Sequence, residues 1–131
     1  MTWLYINSAQ PDASDVGIIT NATRRITRVT GRSHKILNTI SRLKEVKHKK
    51  LNGVCVVSGP GSFTSIRTGV LIANVLARLE KIPLVGLHLD QVKDLAEVAN
   101  GLQNNAFPYR AYVKPEYDTE PNITLPKAKI T

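Results

Sequence analysis

The sequence predicts an α/β domain built on a mixed sheet, with elements in the order β-β-β-α-β-α-β-α. Three observations carry that prediction. Val54-Cys55-Val56-Val57 and Leu84-Val85-Gly86-Leu87 have the continuous hydrophobicity of strands covered on both faces. A long apolar segment of helical period lies between them. Ahead of both, Val16–Thr20 and Arg25–Thr30 are rich in β-branched residues, and Asn21-Ala22-Thr23 can turn the chain between them. A strand–helix–strand unit needs a right-handed crossover and pairs in parallel. The sheet is therefore expected to mix both senses.

Taken in order, Trp3-Leu4-Tyr5-Ile6 reads as a buried first strand, and the stretch from Ala9 to Asp15 as turn material. After the two β-branched strands the period changes. Ile36, Leu37, Ile40 and Leu43 recur at helical spacing, Ser33 offers an N-cap, and Lys47, Lys49 and Lys50 suit the negative end of a helix. A turn at Asn52-Gly53 leads to Val54–Val57, and Gly59-Pro60-Gly61 ends that strand. A second helix is expected from about Ser62 to Lys81, with Pro83 stopping it. Asp90 can cap a third helix in which Val92, Leu95, Ala96 and Ala99 share a face and which Gly101 closes. Arg110–Val113 reads as one edge strand. Residues 1–113 are expected to form the domain, and 114–131 an extended or loose tail.

Composition narrows the function classes. The 131 residues suit one domain, and 42% hydrophobic with 21% charged is ordinary for a globular chain. Cys55 is the single cysteine and sits in an apolar run, as a buried, inert thiol would. No stretch approaches the ~18 apolar residues that span a membrane, and Met1–Ile6 lacks the features of a signal peptide. A cytoplasmic protein with no membrane association is expected. The net charge of +8 is uneven: ten Lys and Arg lie between Arg24 and Lys50, against Glu45 alone. Such a field raises the local concentration of polyanions. Arg24, Arg25, Arg28, Arg42, Lys44 and Lys47 are candidate RNA contacts. No aromatic residue is interleaved for base stacking, and the plainer alternative is a solvated basic face.

The most informative segment is Ser58-Gly59-Pro60-Gly61-Ser62-Phe63-Thr64-Ser65-Ile66-Arg67-Thr68-Gly69. Gly-Pro-Gly between a strand and a helix makes a tight corner, and Ser62 or Thr64 can satisfy free N–H groups of the helix start. The segment lacks the Gly-Lys-Ser/Thr ending of a phosphate loop, so a corner that shapes the fold is the better reading. Beyond it, Ser65, Gly69, Ala73 and Ala77 form a stripe of small side chains at i+4 spacing, which lets another helix approach closely. Ile66, Val70, Ile72, Val75, Leu76 and Leu79 occupy most of the remaining circumference, leaving Arg67, Asn74 and Arg78 as a polar edge. A helix apolar nearly all round is buried on more than one side. Its second cover is either the chain's other helices or a partner.

Three pieces, Arg32–Leu37, Val56–Arg67 and Ile82–Leu87, resemble in order and spacing the bacterial TsaB (YeaZ) family. That family has Arg-x-His before its first helix, Gly-Pro-Gly-Ser-Phe-Thr-Gly-x-Arg at the corner, and Pro-x-x-Gly before its third helix. The resemblance spans roughly Trp3 to Leu102. It implies a single ribonuclease-H-like domain, one half of an actin-like ATPase fold. It also implies a non-catalytic scaffold that binds the catalytic TsaD subunit through a helix bundle, in tRNA threonylcarbamoyladenosine formation. Homodimers through the same helices are a further implication. Carried over position by position, Gly59, Pro60, Gly61, Ser62, Phe63, Thr64 and Arg67 shape the corner, while Ser65, Gly69, Ile72, Ala73 and Leu76 lie near the bundle seam.

The sequence departs from the family at two motif positions. Asn7-Ser8-Ala9 stands where the family has Asp-Thr-Ser, and Ser65 replaces a glycine. The chain also stops near where the second half is expected to begin, so no nucleotide site, cofactor or metal is expected. His34, His48 and His88 lack the close spacing of a metal-binding pair, and nothing marks a base for Ser62 as a nucleophile. No catalytic residue is assigned. The rival readings are a stand-alone basic RNA-binding module and a degenerate ATPase- or protease-like enzyme.

Overall fold

The computed structural model of the chain describes residues 1–31 and 33–117. Five strands, β1 (Thr2–Asn7), β2 (Ala13–Thr20), β3 (Arg24–Thr30), β4 (Gly53–Gly59) and β5 (Leu84–His88), form one sheet in the order β3-β2-β1-β4-β5. The strands β3, β2 and β1 pair antiparallel, while β1, β4 and β5 are parallel. The helices are α1 (Ser33–Arg42), α2 (Lys44–Lys47), α3 (Phe63–Glu80) and α4 (Leu95–Gln103), with a 3-10 turn at Leu89–Val92. The mixed sheet and its element order are thus as the apolar runs required.

Alternation along the strands sorts the helices onto two faces. Ser8 and Ile6 meet α3 at Gly69, and α1 packs beside α3 over β2 and β3. Trp3 points to the opposite face, where it shares a surface hollow with Leu102 of α4 and with Tyr109. Leu4, Ile6, Val16, Ile18, Val54 and Val56 are all fully buried, as are Ile66 and Ala73 above them. Each such Val, Leu or Ile contributes roughly 1.5–3 kcal/mol relative to exposure.

The structure departs from the sequence reading at several places, each with a local cause. The segment from Ala13 to Asp15, expected as turn, belongs to β2 because it completes the ladder opposite Arg28–Thr30. The first helix does not run on to Lys50. Leu43 is extended (φ −69°, ψ 129°) and separates α1 from the short α2. The last helix begins at Leu95, its Asp94 carboxylate accepting from the Ala96 N–H at 2.9 Å. Asp90 instead lies in the preceding turn, which His88 caps. Gly101 lies inside α4 rather than closing it. Arg110–Val113 is not a strand; one backbone hydrogen bond at Arg110 and two with the Asn74 side chain at Val113 hold it instead. The side chains of Ser33 and His34, Arg32, and the tail from 118 to 131 lie outside the described residues, as does the expected cap at Ser33.

The approach of α3 to β1 is close enough that a Cβ at Gly69 overlaps the Ser8 side chain. The Ser8 hydroxyl is itself buried without a hydrogen-bond partner. Gly69→Ala is therefore expected to cost more than ~1 kcal/mol in urea unfolding, and Ser8→Ala alone to be neutral or stabilising. The double variant recovers part of the loss, and a cycle showing strict additivity contradicts the contact.

Cys55 is fully buried, and burial pushes its thiol well above the usual range. Folding then favours the protonated form, so its contribution is complete below the unfolded pKa of about 8.5 and is lost as pH rises beyond it. Unfolding free energy is expected to fall between pH 8 and 10 by up to ~1.4 kcal/mol per pH unit from this group. Cys55→Ala flattens that limb in denaturation curves recorded across the range.

Candidate protein-interaction site

The Gly-Pro-Gly corner is a wedge between two other segments. Gly59 has φ 137°, in the region open to glycine, and a Cβ there runs into the Glu116 carbonyl. A Cβ on Gly61 comes within 2.7 Å of the Ala9 backbone. Pro60 joins Gly61 in lining a hollow at the end of β1. The Ser62 N–H donates to the Ala9 carbonyl at 2.9 Å, tying the start of α3 to the exit of β1. The Ser62 side chain forms no cap hydrogen bond. Thr64 instead accepts through its carbonyl from the Thr68 hydroxyl at 3.1 Å. The expected side-chain cap is thus replaced by a backbone tie.

A strap formed by residues 110–117 returns across the α3–β5 side of the molecule. The Arg110 N–H donates to the Leu84 carbonyl, the Glu116 N–H to the Ser58 carbonyl, and Tyr117 bridges Gly61. Asn74 holds its middle from both sides, donating to the Val113 carbonyl and accepting from the Val113 N–H, each at 2.9 Å. Phe63 then packs against Tyr117 with the rings tilted at 40° (centroids 4.5 Å apart), and the Arg67 guanidinium lies 5.3 Å from the Phe63 ring centre. Phe63 and Arg67 therefore belong to the corner, as the motif implied. Val113 was expected in an edge strand and Tyr117 in a loose tail from 114 onward. Residues 114–117 are instead tied to the corner through Glu116 and Tyr117, and one polar Asn in an apolar helix was a signal of the clamp at Val113.

On α3 the small-residue stripe turns inward. Gly69, Ala73 and Ala77 are buried on the face that meets the sheet. Gly69 and Ala73 are therefore corrected from partner seam to helix–sheet contact: their small size lets the helix sit close to β1, not to another protein. Ile72 and Leu76 are half-buried on its shoulder, packed against the core. Ser65 lines a groove with Ile36 and Ser14, its hydroxyl without a partner. What faces out is a different row, Leu71 (63% exposed), Val75 (48%) and Leu79 (71%), at i, i+4, i+8. Leu37 of the neighbouring α1 is also 53% exposed. Beside Leu79, a hollow of about 230 Å³ opens between α2 and α3, walled by Val46, Leu51, Leu76 and Ile82 together with the charged Lys49 and Glu80.

The end of β1 carries a second cluster. The Asn7 amide donates to the Tyr5 hydroxyl at 3.3 Å and accepts from the Ala9 N–H at 3.1 Å. Burial raises the Tyr5 pKa, and this amide opposes the shift. Opposite Asn7 stands Asp15, whose carboxylate accepts two hydrogen bonds from Arg28 at 3.0 and 3.2 Å. Sequence reading missed that pair, because it took Asp15 for a turn residue. Among the described residues no group of three His, Cys, Asp or Glu could hold a metal, and no helix is long and apolar enough to cross a membrane.

Sheet order, the helix pair on one face and the glycine corner define a domain of the ribonuclease-H-like class. The family model described as TsaD: tRNA N6-adenosine threonylcarbamoyltransferase matches residues 29–114, and the chain belongs to that family. In fold it is similar to YeaZ from Pseudomonas aeruginosa (TM-score 0.58, 16% identity, covering 66% of this chain and 43% of that one). A second P. aeruginosa protein, described as uncharacterized with similarity to peptidase YeaZ, gives 0.56 and 15% over the same shares, 66% and 43%. RuvC of T. thermophilus, solved with a Holliday junction substrate, gives 0.50 and 16% over 71% of this chain and 68% of that one. The match to the two YeaZ-type structures thus spans less than half of their length. No curated protein sequence matches the chain.

Replacing Asn74 with Leu removes both hydrogen bonds to the strap at little change of volume. Hydrogen exchange at the Val113 amide is expected to speed up at least tenfold. The melting temperature falls by only a few degrees, because the core beneath is untouched. Unchanged exchange at Val113 contradicts the clamp.

Proposed function

We propose that this chain is a non-catalytic scaffold subunit in tRNA threonylcarbamoyladenosine modification, binding a TsaD-type catalytic subunit in the cytoplasm through a helix bundle that includes α1 and α3. The observation that carries the reading is the row Leu71, Val75 and Leu79, each large, apolar and exposed on one side of an 18-residue helix. Exposed apolar residues are ordinary when scattered; a contiguous row marks a surface that a partner covers. The hollow beside Leu79, apolar on the Val46, Leu51, Leu76 and Ile82 side and rimmed by Lys49 and Glu80, suits an amphipathic side chain from that partner. Membership in a family described as a tRNA threonylcarbamoyltransferase supports the process. The non-catalytic part is supported by Asn7 at the end of β1 and by Arg28 engaging the carboxylate opposite it. A second copy on the same row is the homodimer form of the reading. It brings Arg67 and Arg78, both exposed along α3, into a seam of like charge, so the catalytic subunit is the favoured occupant.

The test is co-expression with the TsaD-type subunit of the same genome, followed by size exclusion. Val75→Glu with Leu79→Ser is expected to abolish co-elution while the melting temperature stays within a few degrees, since neither side chain is core. Gly69 is unsuitable as a probe, because enlarging it damages the fold itself. Co-elution that survives the double change moves the seam off α3. No complex with the unaltered chain overturns the scaffold reading.

A further inference from the structure

The cations that cluster in the sequence are drawn by the fold onto one edge of the molecule. β3 is the outermost strand of the sheet. Arg25 on its helix-facing side forms an ion pair with Glu45, so β3 and α2 touch. Arg24 and Arg28 stand on the other side of the same strand, about 13 Å apart by strand rise. Arg42 and Lys44 flank the extended Leu43, and Lys47 follows one turn on. All six are exposed. Glu45 and Asp15 answer Arg25 and Arg28, whereas Arg24, Arg42, Lys44 and Lys47 form no ion pair among the described residues.

The chemistry around the cations narrows the ligand. From Ile6 through Ser62 the chain has no Phe, Tyr or Trp, so β3 and α2 carry no aromatic platform of their own for unpaired bases. The nearest aromatic side chains, Trp3 and Tyr109, line a hollow with Asn21 at the β2–β3 turn. Leu37 is the only large apolar residue exposed in that stretch among the described residues, too little to enter a lipid surface. A charged edge whose own strand and helix lack aromatic residues fits a regular array of phosphates. We propose that the β3–α2 edge binds the phosphate backbone of double-helical RNA, as in a transfer RNA stem. The choice of RNA among polyanions rests on the tRNA-modification reading; the charged edge itself rests on the geometry. Affinity then comes from phosphate contacts, with no base readout.

The experiment titrates the full chain, without its partner, into a fluorescent unmodified tRNA transcript at several salt concentrations. Engagement of four to six phosphates predicts a slope of log affinity against log salt of about −4 to −5, near −0.9 for each phosphate on a duplex. Lys44→Glu with Lys47→Glu is expected to weaken binding at least tenfold and to flatten the slope by about 2. Arg24→Gln with Arg42→Gln gives the same result from the other end of the edge, should the first pair disturb α2. Lys93→Glu, beyond the far edge strand, leaves binding unchanged. The proposal is overturned by no tRNA shift at about 50 mM salt, the low end of the range where phosphate contacts are strongest. Indifference to both double variants, or competition by phosphatidylserine vesicles as effective as by tRNA, overturns it equally. Co-elution of the same variants with the TsaD-type subunit is read separately. An intact complex without tRNA binding removes only the RNA edge, and lost co-elution of the unaltered chain removes only the scaffold reading.

Discussion

Contact at distances that exclude a side chain, repeated three times along one line, is the constraint on which the rest of this structure depends. Gly59 lies against Glu116, Gly61 against Ala9, and Gly69 against Ser8. The first two fix the corner between the exit of β1 and the returning strap; the third lays the long helix on the sheet two turns later. Together they set the depth and direction of α3. With the helix seated on its small residues, its large ones are left for the flanks and the outer side. The outward row is therefore a product of the inward one.

The order of elements was legible because strands β1, β4 and β5 are covered on both faces and so read as unbroken apolar runs. The corner was legible as well, down to Phe63 and Arg67, because a glycine-rich turn between strand and helix has few conformations. The small-residue stripe was legible as a close approach, but its object was not. Gly69 and Ala73 suit a sheet as well as a helix, and only the register of Ser8 and Ile6 decides between them. The break at Leu43 was hidden because Leu43 continues the helical period of Ile36 and Ile40, and period says nothing of backbone angles. The strap was hidden for another reason: it is tied at scattered points, by the backbone at Arg110 and Glu116 and by the Asn74 side chain at Val113, which leaves no alternation in residues 110–113 to read.

The fold divides its surface into three regions of different character. The outer side of α3 is apolar with arginines alongside, the β3–α2 edge is cationic and free of aromatic residues, and the β5 side is occupied by the chain's own strap. Because α1 packs against both α3 and the β2–β3 hairpin, the apolar and cationic regions adjoin without sharing side chains. One partner can therefore cover α3 while another approaches the outer strand.

The outer strand carries a further consequence, for behaviour in concentrated solution. β3 is seven residues long, open along one side, and pairs with β2 over its whole length. A flat edge of that kind is a template on which a second molecule adds its own strand, and growth of that sort does not close on itself. Of the three arginines within those seven residues, Arg25 and Arg28 are paired with Glu45 and Asp15, and Arg24 places an uncompensated charge where two such edges meet. A charge on an edge strand opposes such pairing. Charge removed from β3 is felt first as a loss of solubility.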